Sequence, residues 1–137
     1  VNRRMKMRAN NGGTRPGSLL LVEDDPFLLE LLEELIADAG WTVHTASNGE
    51  EAIQLVRQLP DLQAVITDLA MPEMDGVRLI EWLSDERSQL PVMSMTATRA
   101  SEVEDLLNHR RVSAIFQKPL TSERIDQLLD ALNLLND

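Results

Sequence analysis

The chain has 137 residues, which is enough for one domain, and its hydrophobic fraction of 43% is sufficient for a buried core. It contains no cysteine, which excludes disulfides, thiolate metal sites and a cysteine nucleophile. Five of the 13 basic residues lie in the first 17 positions, so the rest of the chain has eight basic and 23 acidic residues and a net charge of −15. This charge disfavours binding to nucleic acid or to an anionic membrane, and no apolar stretch approaches the roughly 18 residues that span a bilayer.

Residues 1 to 17 form a basic segment that is rich in glycine and asparagine and has no apolar centre. They therefore do not resemble a signal peptide. We interpret residues 1 to 17 as a flexible basic linker from an upstream domain or as an expression remnant, and residues 18 to 137 as the folded domain.

Short apolar runs alternate with helical periodicity along the folded part of the chain. The runs predict five buried strands, at residues 18–22, 41–46, 64–67, 91–95 and 114–117. Apolar residues at helical spacing predict a helix after each strand, at residues 27–39, 48–59, 77–83, 99–109 and 125–135. Apolar strands with little alternation, each followed by a helix, indicate an α/β fold with a parallel sheet that is covered on both faces.

Polar side chains follow four of the five predicted strands. In open parallel sheets, ligands bind beyond the carboxyl ends of the strands, so these side chains are expected to converge at one edge. Glu23, Asp24 and Asp25 follow the first strand, Asp68 ends the third, Thr96 ends the fourth, and Lys118 ends the fifth. Lys118 is also the only lysine after residue 17.

This set of groups suits phosphoryl chemistry. Asp24, Asp25 and Asp68, held close together, need a hard divalent cation such as Mg²⁺ to relieve their repulsion. A lysine ammonium and a threonine hydroxyl beside that cation can neutralise and orient a phosphoryl group. Each residue also has an ordinary structural explanation when it is taken alone. Asp24 or Asp25 could cap a helix that begins at Pro26, Asp68 could belong to a turn, Thr96 could be a strand residue, and Lys118 could be a surface charge.

Four segments carry a resemblance to a known family. They are "LVEDD", "VITDLAMPEMDG", "MSMTA" and "FQKPL", and they occur in the order and spacing of the receiver domain of two-component response regulators. The resemblance covers about residues 18 to 135. It implies a flavodoxin-like (βα)5 three-layer sandwich with the strand order 2-1-3-4-5, and a receiver domain over residues 18 to 137.

The resemblance also implies a role for each matching residue. Asp68 would accept a phosphoryl group from the phosphohistidine of a histidine kinase or of a histidine phosphotransfer protein. Thr96 and Lys118 would contact phosphoryl oxygens, and the Lys118-Pro119 bond would be cis. Mg²⁺, or Mn²⁺, would bind to the side chains of Asp25 and Asp68 and to the backbone carbonyl of Ala70, with Asp24 acting largely through water.

The family resemblance implies a cytoplasmic signalling protein that is not a turnover enzyme. An alternative is a receiver-like interaction module that is not phosphorylated, and a more distant one is a phosphatase with an aspartate nucleophile.

The sequence departs from the family pattern at Ile115, which occupies the position at which receivers usually carry Tyr or Phe. By strand alternation, the neighbouring Phe116 is expected to face the opposite side of the sheet.

Overall fold

The computed structural model of the chain describes residues 17–69, 76–97 and 112–135. In these residues five parallel strands form one sheet in the order β2-β1-β3-β4-β5. The strands are β1 (Ser18–Val22), β2 (Thr42–Ala46), β3 (Leu62–Asp68), β4 (Val92–Thr96) and β5 (Val112–Gln117). The predicted α/β class, the parallel sheet and the flavodoxin-like strand order are therefore confirmed.

Four helices lie in the described residues. They are α1 (Pro26–Asp38), α2 (Gly49–Gln58), α3 (Gly76–Glu86) and α4 (Ser122–Leu134). Each begins and ends within a few residues of the predicted helix. The helix predicted near residues 99–109 lies outside the described residues. None of the described helices is long and apolar enough to cross a bilayer.

Side-chain caps fix where three of these helices begin. The Asp25 side chain accepts hydrogen bonds from the first amides of α1, and Pro26 follows it at the first helical position. Asn48 caps α2 by accepting from the Glu51 amide at 2.8 Å, and Thr121 caps α4. These caps satisfy backbone donors that have no partner inside the helix, so the start of each helix is encoded locally.

The sheet is buried on both faces, as the apolar strands predict. The α2/α3 core lies on one face and includes Leu20 and Val22 of β1, whereas the α1/α4 core lies on the other and includes Leu19 and Leu21. All four of these leucine and valine side chains are fully buried. Because successive strand residues point to opposite faces, one strand supplies both cores, and the carboxyl end of that strand is fixed in position.

Candidate functional site

The carboxyl ends of four strands meet at one edge of the sheet, and the predicted polar residues lie there. Glu23 follows β1, Asp68 ends β3, Thr96 ends β4, and Lys118 follows β5. The backbone remains bonded at this edge, since the Glu23 amide donates to the Ala46 carbonyl at 3.0 Å and the Lys118 amide donates to the Thr96 carbonyl at 2.7 Å. These bonds extend the backbone pairing of the sheet to Glu23 and Lys118, and so fix where their side chains begin.

Lys118 connects β5 to two carboxylates on other strands. Its Nζ donates to Glu23 Oε1 at 2.8 Å and to Asp68 Oδ2 at 3.0 Å. The Lys118 side chain is 20% exposed, while those of Glu23 and Asp68 are 0% and 7% exposed. An ammonium group between two buried carboxylates explains why the single lysine of the folded part lies at this position. The Lys118-Pro119 bond is cis, as the resemblance implies.

Burial and neighbouring charges shift the pKa values of two groups in the site. The net pKa of Glu23 is raised from 4.5 to about 7, because burial and the nearby Asp68 charge raise it by more than the hydrogen bonds from Lys118 and the Asp25 amide and the Lys118 charge lower it. For Lys118, burial lowers the pKa, but the hydrogen bonds to Glu23 and Asp68, together with the charges of these two carboxylates, outweigh burial, and the net pKa is raised. Lys118 therefore stays protonated at neutral pH, while Glu23 lies near its midpoint of titration.

Three carboxylates at this edge are close enough to share one cation. One oxygen each of Glu23, Asp24 and Asp68 lie within 4.8 Å of one another, with Asp24 exposed and the other two buried. With Lys118 protonated and all three carboxylates ionised, as a bound cation would favour even for Glu23, these four groups have a formal charge of −2. Oxygen donors with that residual charge fit a hard divalent cation such as Mg²⁺.

The two predicted metal ligands Asp24 and Asp25 have different surroundings in the structure. Asp24 belongs to the carboxylate group, but Asp25 is the N-cap of α1, and its Oδ1 accepts from the Phe27 amide at 3.0 Å. The capping explanation is therefore confirmed for Asp25. Glu23 takes the place in the carboxylate group that the sequence analysis gave to Asp25. The local signal for this was present, because an Asp directly before Pro26 is typical of an N-cap.

Thr96 and the start of α3 complete the described part of the site. Thr96 is 2% exposed at the end of β4. A Cβ on Gly76 would overlap the Asp68 carbonyl oxygen and lie 2.6 Å from Leu69 Cα, so α3 can approach the end of β3 only with glycine there. The Gly76 amide also donates to the Leu69 carbonyl at 2.9 Å. Ala70, whose carbonyl was a predicted metal ligand, lies outside the described residues.

Phe116 and Ile115 differ in packing. Phe116 is 8% exposed and packs in the α1/α4 core beside Met95, which confirms its expected direction. Ile115 is half-buried and is paired with Ser94 of β4. An aromatic side chain is thus present on β5, but it is part of the core on the opposite side from the position that receivers usually fill with Tyr or Phe.

Comparison with known proteins finds a matching family model and chains of similar sequence. The sequence model described as "Response regulator receiver domain" matches residues 19–130. The chain is 31% identical over 112 residues to the polar-differentiation response regulator DivK of Brucella anthropi, covering 80% of this chain and 89% of that protein. It is 34% identical over 117 residues to the transcriptional regulatory protein GlrR of Escherichia coli, covering 85% of this chain but only 26% of that protein.

A solved structure agrees with these sequence matches. The non-phosphorylated HemR receiver domain from Leptospira biflexa superposes with a TM-score of 0.77 at 27% identity, covering 88% of this chain and 94% of that one. The chain thus spans nearly all of one curated relative and about a quarter of another.

Proposed function

The chain belongs to the response regulator receiver domain family, and on that premise we propose that it is a phosphorylated switch in which Asp68 accepts a phosphoryl group from a phosphohistidine. The donor is a histidine kinase or a histidine phosphotransfer protein. The observation that carries the proposal is the position of Lys118, whose ammonium lies 3.0 Å from Asp68 and 2.8 Å from Glu23. A cation fixed beside a carboxylate nucleophile is suited to the charge of an incoming phosphoryl group.

The proposed step is a displacement at phosphorus. A carboxylate oxygen of Asp68 forms a bond to phosphorus as the bond between phosphorus and the imidazole nitrogen breaks, and that nitrogen keeps the electron pair. Lys118 neutralises charge on a phosphoryl oxygen, and the Thr96 hydroxyl contacts another. Both residues are anchored by the backbone bond between β4 and Lys118, so they need little reorganisation.

We assign a divalent cation, Mg²⁺ or Mn²⁺, to Glu23, Asp24 and Asp68, and we remove Asp25 from the proposed ligands. When bound, the cation supplies charge neutralisation for the phosphoryl oxygens and for the carboxylates. Its fit is supported by the oxygen-only donors and by their residual negative charge. Glu23 and Asp68 are held by Lys118, which keeps two of the three proposed ligands oriented.

The exposed side of α1 is proposed to contact the phosphodonor protein. Phe27 is 84% exposed and Leu31, one helical turn later, is 46% exposed. Phe27 lies only two residues after the Asp25 cap and therefore beside the edge that contains Asp68. Two apolar side chains that face solvent at this position form a suitable surface for a protein that must bring its histidine to Asp68.

After transfer, the domain shifts its population towards a second conformation that a downstream domain or protein recognises. We place the receiver domain at residues 18 to 137, with residues 1 to 17 as a linker, and we include a cytoplasmic location in the proposal. Like the signalling modules of its family, the domain is not a turnover enzyme in this proposal. The alternative is an interaction module that works without phosphorylation.

Intact mass spectrometry tests the proposal directly. The protein is incubated with phosphoramidate, with and without Mg²⁺, and Asp68→Asn is the matched variant because it removes the nucleophile with little change in shape. We expect a gain of about 80 Da, the mass of one phosphoryl group, only in wild type and only with Mg²⁺. If Mg²⁺ binds but neither protein gains mass, the interaction module is favoured; a gain in both proteins would mean that another residue is the acceptor.

A further inference from the structure

Lys118 lies in a short segment between β5 and α4, and the backbone of this segment is bonded on both sides of the lysine. The Lys118 amide donates to Thr96 on β4. The carbonyls of the two flanking residues, Gln117 and Pro119, accept hydrogen bonds from Nη1 of Arg124 at 3.3 and 2.9 Å. The guanidinium group of one residue on α4 therefore contacts the backbone immediately before and after Lys118.

Arg124 is an unexpected residue for its place in the helix. Thr121 is the N-cap of α4, and its hydroxyl accepts from the Arg124 amide at 3.2 Å, so Arg124 occupies the third helical position. A Glu or Gln at that position would complete a capping box, and the helix dipole disfavours a positive charge in the first turn. The stability of α4 therefore does not favour Arg124, whereas its side-chain contacts suggest a role for it.

Nη1 of Arg124 donates to both carbonyls, so one side-chain group connects the two residues that flank Lys118. Nη1 carries two N–H groups in a fixed plane, so both carbonyls are held relative to each other and relative to α4. With the Lys118 amide bonded to β4, the backbone at residue 118 is fixed between a strand and a helix. The long lysine side chain then extends from a defined origin to Glu23 and Asp68.

We propose that Arg124 is a positioning residue that holds the backbone around Lys118 so that the Lys118 ammonium stays between Glu23 and Asp68. This inference deepens the proposed function, because it assigns a residue outside the acidic site to phosphoryl transfer at that site. Arg124 acts through Lys118 and does not touch the phosphoryl group. Loss of the Arg124 side chain therefore leaves Glu23 and Asp68 in place but allows the Lys118 ammonium group to move away from them.

The first test observes Lys118 itself and does not depend on phosphorylation. The full chain has only two lysines, Lys6 and Lys118, so protein labelled with ¹⁵N-lysine gives at most two ammonium signals by NMR, and Lys6→Arg assigns them. We expect the Lys118 ammonium signal to be visible in wild type because both carboxylates hold its protons. In Arg124→Met the signal should broaden or disappear, and in Arg124→Lys it should be partly retained.

Thr121→Ala is the control for a general weakening of α4, because it removes the helix cap without removing the two guanidinium bonds. It should lower the melting temperature while it leaves the Lys118 signal in place. The same loss of the signal in Arg124→Met and Thr121→Ala, or an unchanged signal in Arg124→Met, would overturn the inference. Melting temperatures are measured for all variants, and only variants that unfold cooperatively are compared.

The second test measures the rate of phosphorylation by phosphoramidate at saturating Mg²⁺. We expect Arg124→Met to slow the reaction by about three- to tenfold, with partial recovery in Arg124→Lys and no comparable change in Thr121→Ala. A wild-type rate in Arg124→Met refutes the positioning role. If wild type takes no phosphoryl group, the proposed function fails, and the NMR comparison alone then decides whether Arg124 positions Lys118.

Discussion

Replacing Lys118 by methionine tests the electrostatics of the site most directly. Methionine is also unbranched, so Lys118→Met removes the ammonium group while it retains much of the apolar side chain. Glu23 and Asp68 would then be buried next to each other without their shared cation. Removing one partner of a buried ion pair costs about 3–5 kcal/mol, because the remaining charge is no longer compensated. Lys118 is 20% exposed, so we expect the lower end of that range for metal-free protein, about 3 kcal/mol.

The stability lost in Lys118→Met should increase as the pH rises. The pKa of Glu23 is raised in the folded protein to about 7 from 4.5, so its contribution to stability is complete below pH 4.5 and is lost as the pH rises to about 7. Removal of Lys118 raises the pKa of Glu23 further, so the variant continues to lose stability above pH 7. Between pH 7 and pH 8 wild type still loses about 0.4 kcal/mol, because Glu23 is half-titrated at pH 7, whereas the variant loses up to about 1.4 kcal/mol; the difference between them should therefore be up to about 1 kcal/mol larger at pH 8.

Mg²⁺ should reduce the difference between the two proteins. Without Lys118, Glu23 and Asp68 lose the ammonium group that they share, so a divalent cation bound by Glu23, Asp24 and Asp68 is held more strongly. A ligand that binds only the folded state stabilises it by about 2.7 kcal/mol at a concentration of 100 times its Kd. We therefore expect a larger gain in stability from Mg²⁺ in Lys118→Met than in wild type.

The assay is urea unfolding of wild type and Lys118→Met at pH 6, 7 and 8, with EDTA and with a series of Mg²⁺ concentrations. Lys6→Met, the same change at the other lysine, controls for the altered net charge. Equal stability of Lys118→Met and wild type in EDTA at pH 8 would refute the view that Lys118 compensates two buried carboxylates. An equal effect of Mg²⁺ on both proteins would refute a metal site beside Lys118.

Three further predictions concern neighbouring parts of the site. Asp24→Asn should weaken Mg²⁺ binding by at least about tenfold in calorimetry, whereas Asp25→Asn, which keeps a good N-cap, should change it much less; the reverse order would restore Asp25 as a ligand. Phe27→Ala should slow phosphotransfer from a kinase protein but not from phosphoramidate, and equal slowing with both donors would contradict a docking role. Gly76→Ala should destabilise the fold by about 1–3 kcal/mol in urea unfolding, because its methyl group would overlap the backbone of Asp68; an unchanged midpoint would contradict that close approach.

The fold was largely predictable because its signals are local and repeated. Each strand is a short apolar run, and each described helix has an apolar stripe and a cap or glycine near its end. The strand order was not available from those patterns, and the resemblance supplied it. The structure confirms that order, with β1 between β2 and β3.

The site was predictable to the level of which strand ends carry chemical groups. Asp68, Thr96 and Lys118 were assigned correctly to one edge, since parallel strands point in the same direction. After β1, where three acids follow one another, the structure groups Glu23 and Asp24 with Asp68 and shows Asp25 as the helix cap, while metal binding by any of them stays a prediction. Each of Glu23, Asp24 and Asp25 is chemically able to bind a metal, so residue type alone did not distinguish them.

The sequence by itself determined the elements, the parallel sheet and the strand ends that carry polar groups, because periodicity, caps and turn residues act over a few neighbours. Only the tertiary structure decided which acid turns inward. Glu23 can be fully buried because Lys118, 95 residues away in the chain, supplies its counter-charge. Asp25 instead caps α1, whose first amides donate to its side chain. Contacts between residues so far apart depend on strand register and side-chain direction, which the residues around Glu23 do not specify.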